Sequence, residues 1–397
     1  MILRAKYLIT GDGRTCLQDQ AVYLDKEGKI GWIGDAAEAA GRYPEEMVKD
    51  YGEATILPGL FDMHVHFGYY YSQPDLDNYD DYMVAYYALE QAKQSLRFGI
   101  TTVRDLSCPP NLMKQLRLAG QKGYVTVPRI IHADAGICMT GGHGHQDGVE
   151  EADSPWGVRA AIRRQLRAGA DWVKILTSNR GDIPEFTQEE LDAAVDEAHR
   201  QGVKIAVHSG TQPSIQMCID AGFDTIEHGT FLTEAQARQM AKKGIAWTPT
   251  ITAYTYLYEQ TKQMIEAGMD NPIAARAVHD QAFFKPAFEA YRDNFKKLYD
   301  TGVTVLAGSD MVLYKAPPLP IHQELGYMVD YGITPMEAIR TATYNAASVL
   351  GIENETGSLK EGLAGDLLIV KGDVSKNIRA LDDVQEVYLA GEIVYTV

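Results

Sequence analysis

Six side chains able to bind a metal ion stand along the chain, each where a short apolar run gives way to a polar turn. They are His64 and His66 in LPGLFDMHVH, Lys174 in DWVKILTS, His208 in KIAVHSG, His228 in DTIEHGT and Asp310 in TVLAGSD. His64 and His66 lie two apart in an extended run, so their side chains point to one face. Packing alone accounts poorly for that pair together with two more imidazoles and a carboxylate at other run ends. A lysine directed into an apolar interior beside cations is repelled and desolvated, and it loses its proton or is modified. Reaction of the neutral Lys174 amine with carbon dioxide gives a carbamate, whose two oxygens can bridge two metals. The alternative is a Lys174–Asp310 ion pair in a site without metal. On the first reading the chain is a two-metal hydrolase, and donors without thiolate suit two zinc ions, with manganese, iron or cobalt fitting the same set.

Elements that could position these residues follow from the rhythm of the sequence. Eight short apolar runs alternate with helical stretches, ending near His66, Leu106, Cys138, Ser178, His208, His228, Ile251 and Asp310. Parallel βα repetition with this number predicts an α/β fold, a (β/α)8 TIM barrel whose active site forms at the carboxyl ends of the strands. SPWGVRAAIRRQLRAGA and TQEELDAAVDEAHRQG fit the intervening helices, the second opening on a Thr-x-x-Glu capping box. Both chain ends alternate β-type runs with turns. They predict a small β-sandwich domain from residues 1–56 and 359–397, with the catalytic barrel at 57–358. The connection from Ile251 to Thr304 is long and rich in tyrosine, and residues 252–303 are either an outer helical hairpin or a lid.

Bulk properties narrow the class. A hydrophobic share of 45% in 397 residues supports a large core, and a net charge of -17 argues against nucleic acid or an anionic membrane as partner. No apolar run reaches membrane-span length and the amino terminus turns polar early, so a cytoplasmic enzyme of small-molecule substrates is expected. A closed homo-oligomer is a reasonable expectation for such an enzyme. Cys16, Cys108, Cys138 and Cys218 form no CxxC pair and are expected to be free thiols.

The motifs resemble the amidohydrolase superfamily over nearly the whole chain. PGLFDMHVH is similar to its PGxxDxHxH, WVKI to its bridging-lysine strand, and IEHGT and AGSDM to its later metal-binding strands. TGGHGH after the third run and EHG after the sixth look most like the Xaa-Pro dipeptidase and imidazolonepropionase-related branch, and Lys174 moves the chain toward the two-metal peptidases. The resemblance implies His64, His66 and Asp310 on the more buried metal, His208 and His228 on the other, and carboxylated Lys174 bridging both. Two cations sharing one hydroxide lower its pKa and polarise a carbonyl, with Asp310 carrying the proton to the leaving amine.

The implied reaction is hydrolysis of an amide C–N bond in a dipeptide or N-acyl amino acid. The alternatives are a two-metal hydrolase of a cyclic amide, carbamate or lactone, and an inactive interaction scaffold. For substrate contacts the candidates are His143 and His145 on the glycine-rich TGGHGH loop, Tyr70 after the first metal strand, and Arg180 in TSNRGD. Asp62, facing away from a ligand role, is expected to support its neighbours. One departure stands out: the dipeptidase-like branch carries a tyrosine two residues after the fifth-run histidine, where this chain has Gly210.

Overall fold

The computed structural model describes residues 1–68, 80–145, 149–178, 183–267, 272–310 and 320–397. Strands from both ends of the chain join in one sheet, in the order Glu392–Thr396, Val384–Leu389, Leu367–Lys371, Ala54–Pro58, Ile2–Ile9, Cys16–Leu24 and Ile30–Asp35. Val48–Asp50 also pairs with Ile2–Ile9. Leu3, Leu8, Val22, Ile56, Ile369 and Tyr388 bury together against this sheet, so neither terminus can complete that core alone.

Two parallel sheets lie between these ends. Leu60–Val65, Ile100–Asp105 and Arg129–His132 form one, while Ile137–Cys138, Trp172–Leu176, Lys204–Ser209, Thr225–His228 and Ala246–Thr248 run side by side in the other, edged by Glu150–Glu151. Alternation sorts their side chains. Val173, Ile175, Ile205, Val207 and Ile226 join the cluster containing Val158, Ile162, Leu191, Ile215 and Met240 of the helices. Trp172, Lys174, Ala206 and Glu227 are left for the opposite face. Backbone bonds link the two sheets, from Asp171 N to His132 O (2.8 Å), from Met63 N to Ala307 O (2.9 Å) and from Trp247 N to Thr304 O (2.8 Å).

Seven of the eight expected runs contain a regular strand. The third run breaks at Asp134, whose φ of 56° interrupts extension, and its side chain accepts from Asn111 N; the run resumes as Ile137–Cys138. The eighth, TVLAGSD, forms no regular strand: Val305 bridges to Trp247, and backbone bonds tie Thr304 and Leu306 to Trp247, Ala307 to Met63 and Asp310 to His64. Gly308 lets it pass closely, since a Cβ there would meet Thr248 Cγ2 at 2.6 Å and His64 Cβ at 2.8 Å. In the long connection, helices Ile251–Glu266 and Pro272–Tyr299 pack on each other through Tyr254, Phe284 and Tyr291. Its base lies against His228, with the Tyr254 ring centroid 5.6 Å from the imidazole. All four cysteines are free. Among the described residues no helix is long and apolar enough to cross a membrane.

Asp366 ties the terminal sheet to the parallel strands. It is 2% exposed and accepts from Arg129 (3.1 Å), Thr356 Oγ1 (2.8 Å) and Ala390 N (2.8 Å). Asp366→Ala should lower unfolding stability by about 1.5–3 kcal/mol in urea titration, the range for hydrogen bonds to a charged group. Adding Arg129→Met should cost little more, because the two changes remove a shared contact.

Candidate metal centre

His64 and His66 end one strand on the same face and are each held through Nδ1. His64 Nδ1 lies 2.9 Å from Glu227 Oε2, and His66 Nδ1 lies 2.8 Å from the Ser107 carbonyl. A carbonyl only accepts, so Nδ1 of His66 carries the proton; Glu227, paired with Arg104 on its other oxygen (2.9 Å), accepts in the same way. The two Nε2 atoms therefore present lone pairs to each other across 3.0 Å. Asp310 Oδ1 stands 3.8 Å from the first and 3.5 Å from the second. Two facing acceptors and a carboxylate leave a space suited to a cation.

His208 and His228 complete this wall. Their rings lie 4.4 Å apart, and His228 is 4.9 Å from His64. His208 Nε2 is buried without a hydrogen-bond partner among the described residues. His228 Nδ1 contacts Thr250 Oγ1 at 2.7 Å, which leaves Nε2 for the site when Nδ1–H donates. Donor atoms of His64, His228 and Asp310 all fall within 4.8 Å of one another. That grouping crosses the two-metal partition implied by the resemblance, so the ligands line one shared space.

Backbone geometry aims two of these groups. Glu227 faces the interior, so ordinary alternation would turn His228 outward; a left-handed φ of 63° brings its ring back. Asp310 (φ 54°) and Thr250 (φ 53°) adopt the same region. Such conformations cost about 1–3 kcal/mol each and persist where surroundings enforce them. Here Trp247 Nε1 (2.7 Å) and the Tyr291 hydroxyl (3.1 Å) both donate to the His228 carbonyl. Gly229 permits the turn, since a Cβ on it would meet Trp247 Nε1 at 2.7 Å. Asp62 joins the two sides of the site by accepting from His64 N (3.2 Å) and Ser309 N (2.9 Å), and Asp310 N donates to His64 O (2.7 Å).

Burial governs protonation. It pulls all four imidazoles below their ordinary range, His66 to about 3, with the positive charge of Lys174 the next cause for His64 and His66. Burial also lowers Lys174, against the attraction of Glu227 and Asp310, and raises Asp310, against the attraction of Lys174. Neutral imidazole is the ligating form, and a neutral amine is the form that captures carbon dioxide.

Of the expected substrate contacts, His143 stacks its ring on His208 with centroids 4.0 Å apart. Its loop is clamped by three carboxylates, with Thr140 N donating to Asp153 (3.0 Å), Gly141 N to Glu151 (2.7 Å) and His143 N to Glu185 (2.9 Å). His145 instead turns back on its own loop, Nδ1 to the Gly142 carbonyl at 2.8 Å. Tyr70 and Arg180 lie outside the described residues. Sequence reasoning missed Glu227, Arg104 and Thr250 as supports. A charge inside an otherwise apolar run, as in TIEH and ITTVRD, was the available signal for the first two.

Comparison with known proteins follows this geometry. The amidohydrolase family profile matches residues 55–394. Ochratoxinase of Aspergillus niger is 27% identical over 430 residues, covering 96% of this chain and 83% of the relative. An imidazolonepropionase of Geobacillus sp. is 23% identical over 398 residues, covering 89% of this chain and 84% of that protein. A Xaa-Pro dipeptidase crystallised with methionine in its active site superposes with a TM-score of 0.89 at 31% identity, covering 100% of this chain and 99% of the other.

Arg104 and Glu227 are both fully buried, so removing one leaves the other uncompensated. Arg104→Met should lower stability by about 3–5 kcal/mol in urea unfolding. Combining it with Glu227→Gln should restore part of that loss, as expected if the uncompensated charge is its main source.

Proposed function

We propose that this chain, which belongs to the amidohydrolase family and is a hydrolase acting on C–N bonds, cleaves an amide with two divalent metal ions held by His64, His66, Lys174, His208, His228 and Asp310. The observation that carries this reading is the pair of inward Nε2 lone pairs 3.0 Å apart, with Asp310 beside them. The unpartnered His208 Nε2 extends the same donor set. All of these donors are nitrogen or oxygen, which favours zinc. Lys174, as its carbamate, would supply the remaining oxygen donors to the ions. The surrounding architecture is read as a (β/α)8 barrel over residues 57–358, with residues 1–56 and 359–397 forming a β-sandwich domain.

When bound, the metal ions supply Lewis acidity toward the scissile carbonyl and acidify water to act at neutral pH. The chain's own residues do the rest. Glu227, Ser107 and Thr250 fix the rings so that Nε2 faces inward. Asp310 accepts the proton released when water adds to the carbonyl and returns it to the departing amine, so one water is consumed and an acid and an amine leave. Its left-handed backbone and its N–H bond to the His64 carbonyl hold the carboxylate at the reacting face.

The preferred substrates are dipeptides or N-acyl amino acids, a reading supported by the likeness to ochratoxinase and to a dipeptidase with bound methionine. His143, stacked on His208, is the proposed contact for the substrate, with His145, Tyr70 and Arg180 as further candidates. Gly210 favours a second reading, a cyclic amide or another substrate without a carboxylate, because the branch's tyrosine is missing there.

Purified protein should carry two equivalents of divalent metal by elemental analysis, and His208→Ala or His228→Ala should lose one. Lys174→Ala should be nearly inactive and partly rescued by short carboxylic acids that fill the bridging position; full activity with a single ion would exclude the bridged mechanism. His143→Ala should weaken hydrolysis of carboxylate-bearing substrates by about 1.5–3 kcal/mol, mainly through KM, and spare a neutral amide. Equal losses on charged and neutral substrates would instead favour the second reading.

A further inference from the structure

The helix Ile251–Glu266 begins in an unusual way. Thr187, Thr233 and Thr334 each precede a helix of this chain and cap it with their own side chains in capping boxes. Thr250 occupies the same position before Ile251–Glu266 but makes no side-chain cap bond, and its backbone is left-handed. Its hydroxyl is turned to His228 Nδ1 instead, at 2.7 Å. The first N–H groups of that helix would then lack an acceptor in a buried place. Glu324, fully buried on the helix Pro320–Asp330, takes them: Ile251 N donates to Oε1 (3.0 Å), and Thr252 N (2.7 Å) and Thr252 Oγ1 (2.8 Å) donate to Oε2. A carboxylate at a helix N-terminus is also favoured by the helix dipole.

We propose that Glu324 is a positioning residue for His228: by capping the Ile251–Glu266 helix from another element, it leaves the Thr250 hydroxyl to hold the imidazole with Nε2 toward the metal. This rests on the reading of His228 as a metal ligand. Glu324 acts through two links, the first turn of the helix and Thr250. The arrangement accounts at once for a buried carboxylate that forms no ion pair among the described residues, a threonine whose side chain does not cap its helix, and the left-handed backbone at that threonine.

The test uses full-length protein reconstituted with cobalt(II), reading the visible absorption bands and the affinity of each ion by chelator competition. Glu324→Ala and Thr250→Val should each weaken one of the two ions, roughly ten- to a hundredfold, the range for lost supports of ligating histidines. The double variant should be no weaker than the worse single one, because both changes break the same path. Thr250→Ser, which keeps the hydroxyl, should bind as the parent does. If Glu324→Ala does not fold, Glu324→Gln, with one remaining carbonyl acceptor, takes its place in the cycle with a smaller expected loss. Parent-like affinity and spectrum in the folded Glu324 variant, or losses that multiply in the double variant, would overturn the proposal. His228→Ala separates the two levels. If it binds both ions like the parent, the metal-ligand reading fails and the positioning role with it. If it loses an ion while the Glu324 variant keeps both, only the positioning role fails.

Discussion

Glu227 holds His64 with one carboxylate oxygen and Arg104 with the other, all three without appreciable exposure to solvent. The guanidinium occupies one carboxylate oxygen and leaves the other to accept from the imidazole. That division of the two oxygens decides which nitrogen of His64 carries hydrogen, and hence where its lone pair points. Arg104 is itself held by the Met63 carbonyl at 2.8 Å and covered by the Trp172 ring at 4.7 Å. A chain of contacts thus runs from the packed interior to the reacting face, and Met63 belongs to the same strand as the histidine being oriented.

Two of the other candidate donors use a carbonyl and a hydroxyl for the same purpose. Ser107 serves His66 and Thr250 serves His228, so each of these three imidazoles has its Nδ1 occupied. Because burial keeps the rings neutral, these supports select a tautomer without adding another cation to a crowded site. Left-handed turns at His228 and Asp310 add direction. A strand ladder offers only two side-chain directions, and these turns provide a third at the place where ligands must converge. Regular structure therefore brings the ligands close, and irregular structure at its ends aims them.

Local pattern marked the candidate donor positions because each lies in or ends an apolar run, and a run of alternating residues reveals which side chains share a face. It also carried the shared sheet of both termini, whose strands announce themselves by composition. Glu227, Arg104 and Thr250 were not legible in the same way. Glu227 meets Arg104 across 123 positions and Thr250 meets His228 across 22, so their partners are fixed by folding rather than by spacing. The broken third run and the irregular eighth likewise depend on distant partners. Asn111 N donates to the Asp134 side chain where the third run bends, and His64 and Thr248 crowd Gly308 in the eighth. TVLAGSD reads as a strand in isolation, and only its neighbours decide otherwise.

The proposed substrate contact is placed by a different physical rule from the candidate metal donors. Most of those donors stand on strands or at their ends, while the TGGHGH loop is glycine-rich and would be poorly defined by its own backbone. It is fixed from outside, by carboxylates that accept N–H groups of residues 140, 141 and 143. Two of them, Glu151 and Asp153, come from the same connection. The third, Glu185, comes from the connection after the Lys174 strand. The loop that places His143 over His208 is thereby coupled to the element following the proposed bridging residue, so a change in either connection should reach the other. Loops of this kind can vary while the buried donor set is left intact, so Gly210 at the position of the branch's tyrosine is compatible with the proposed metal centre.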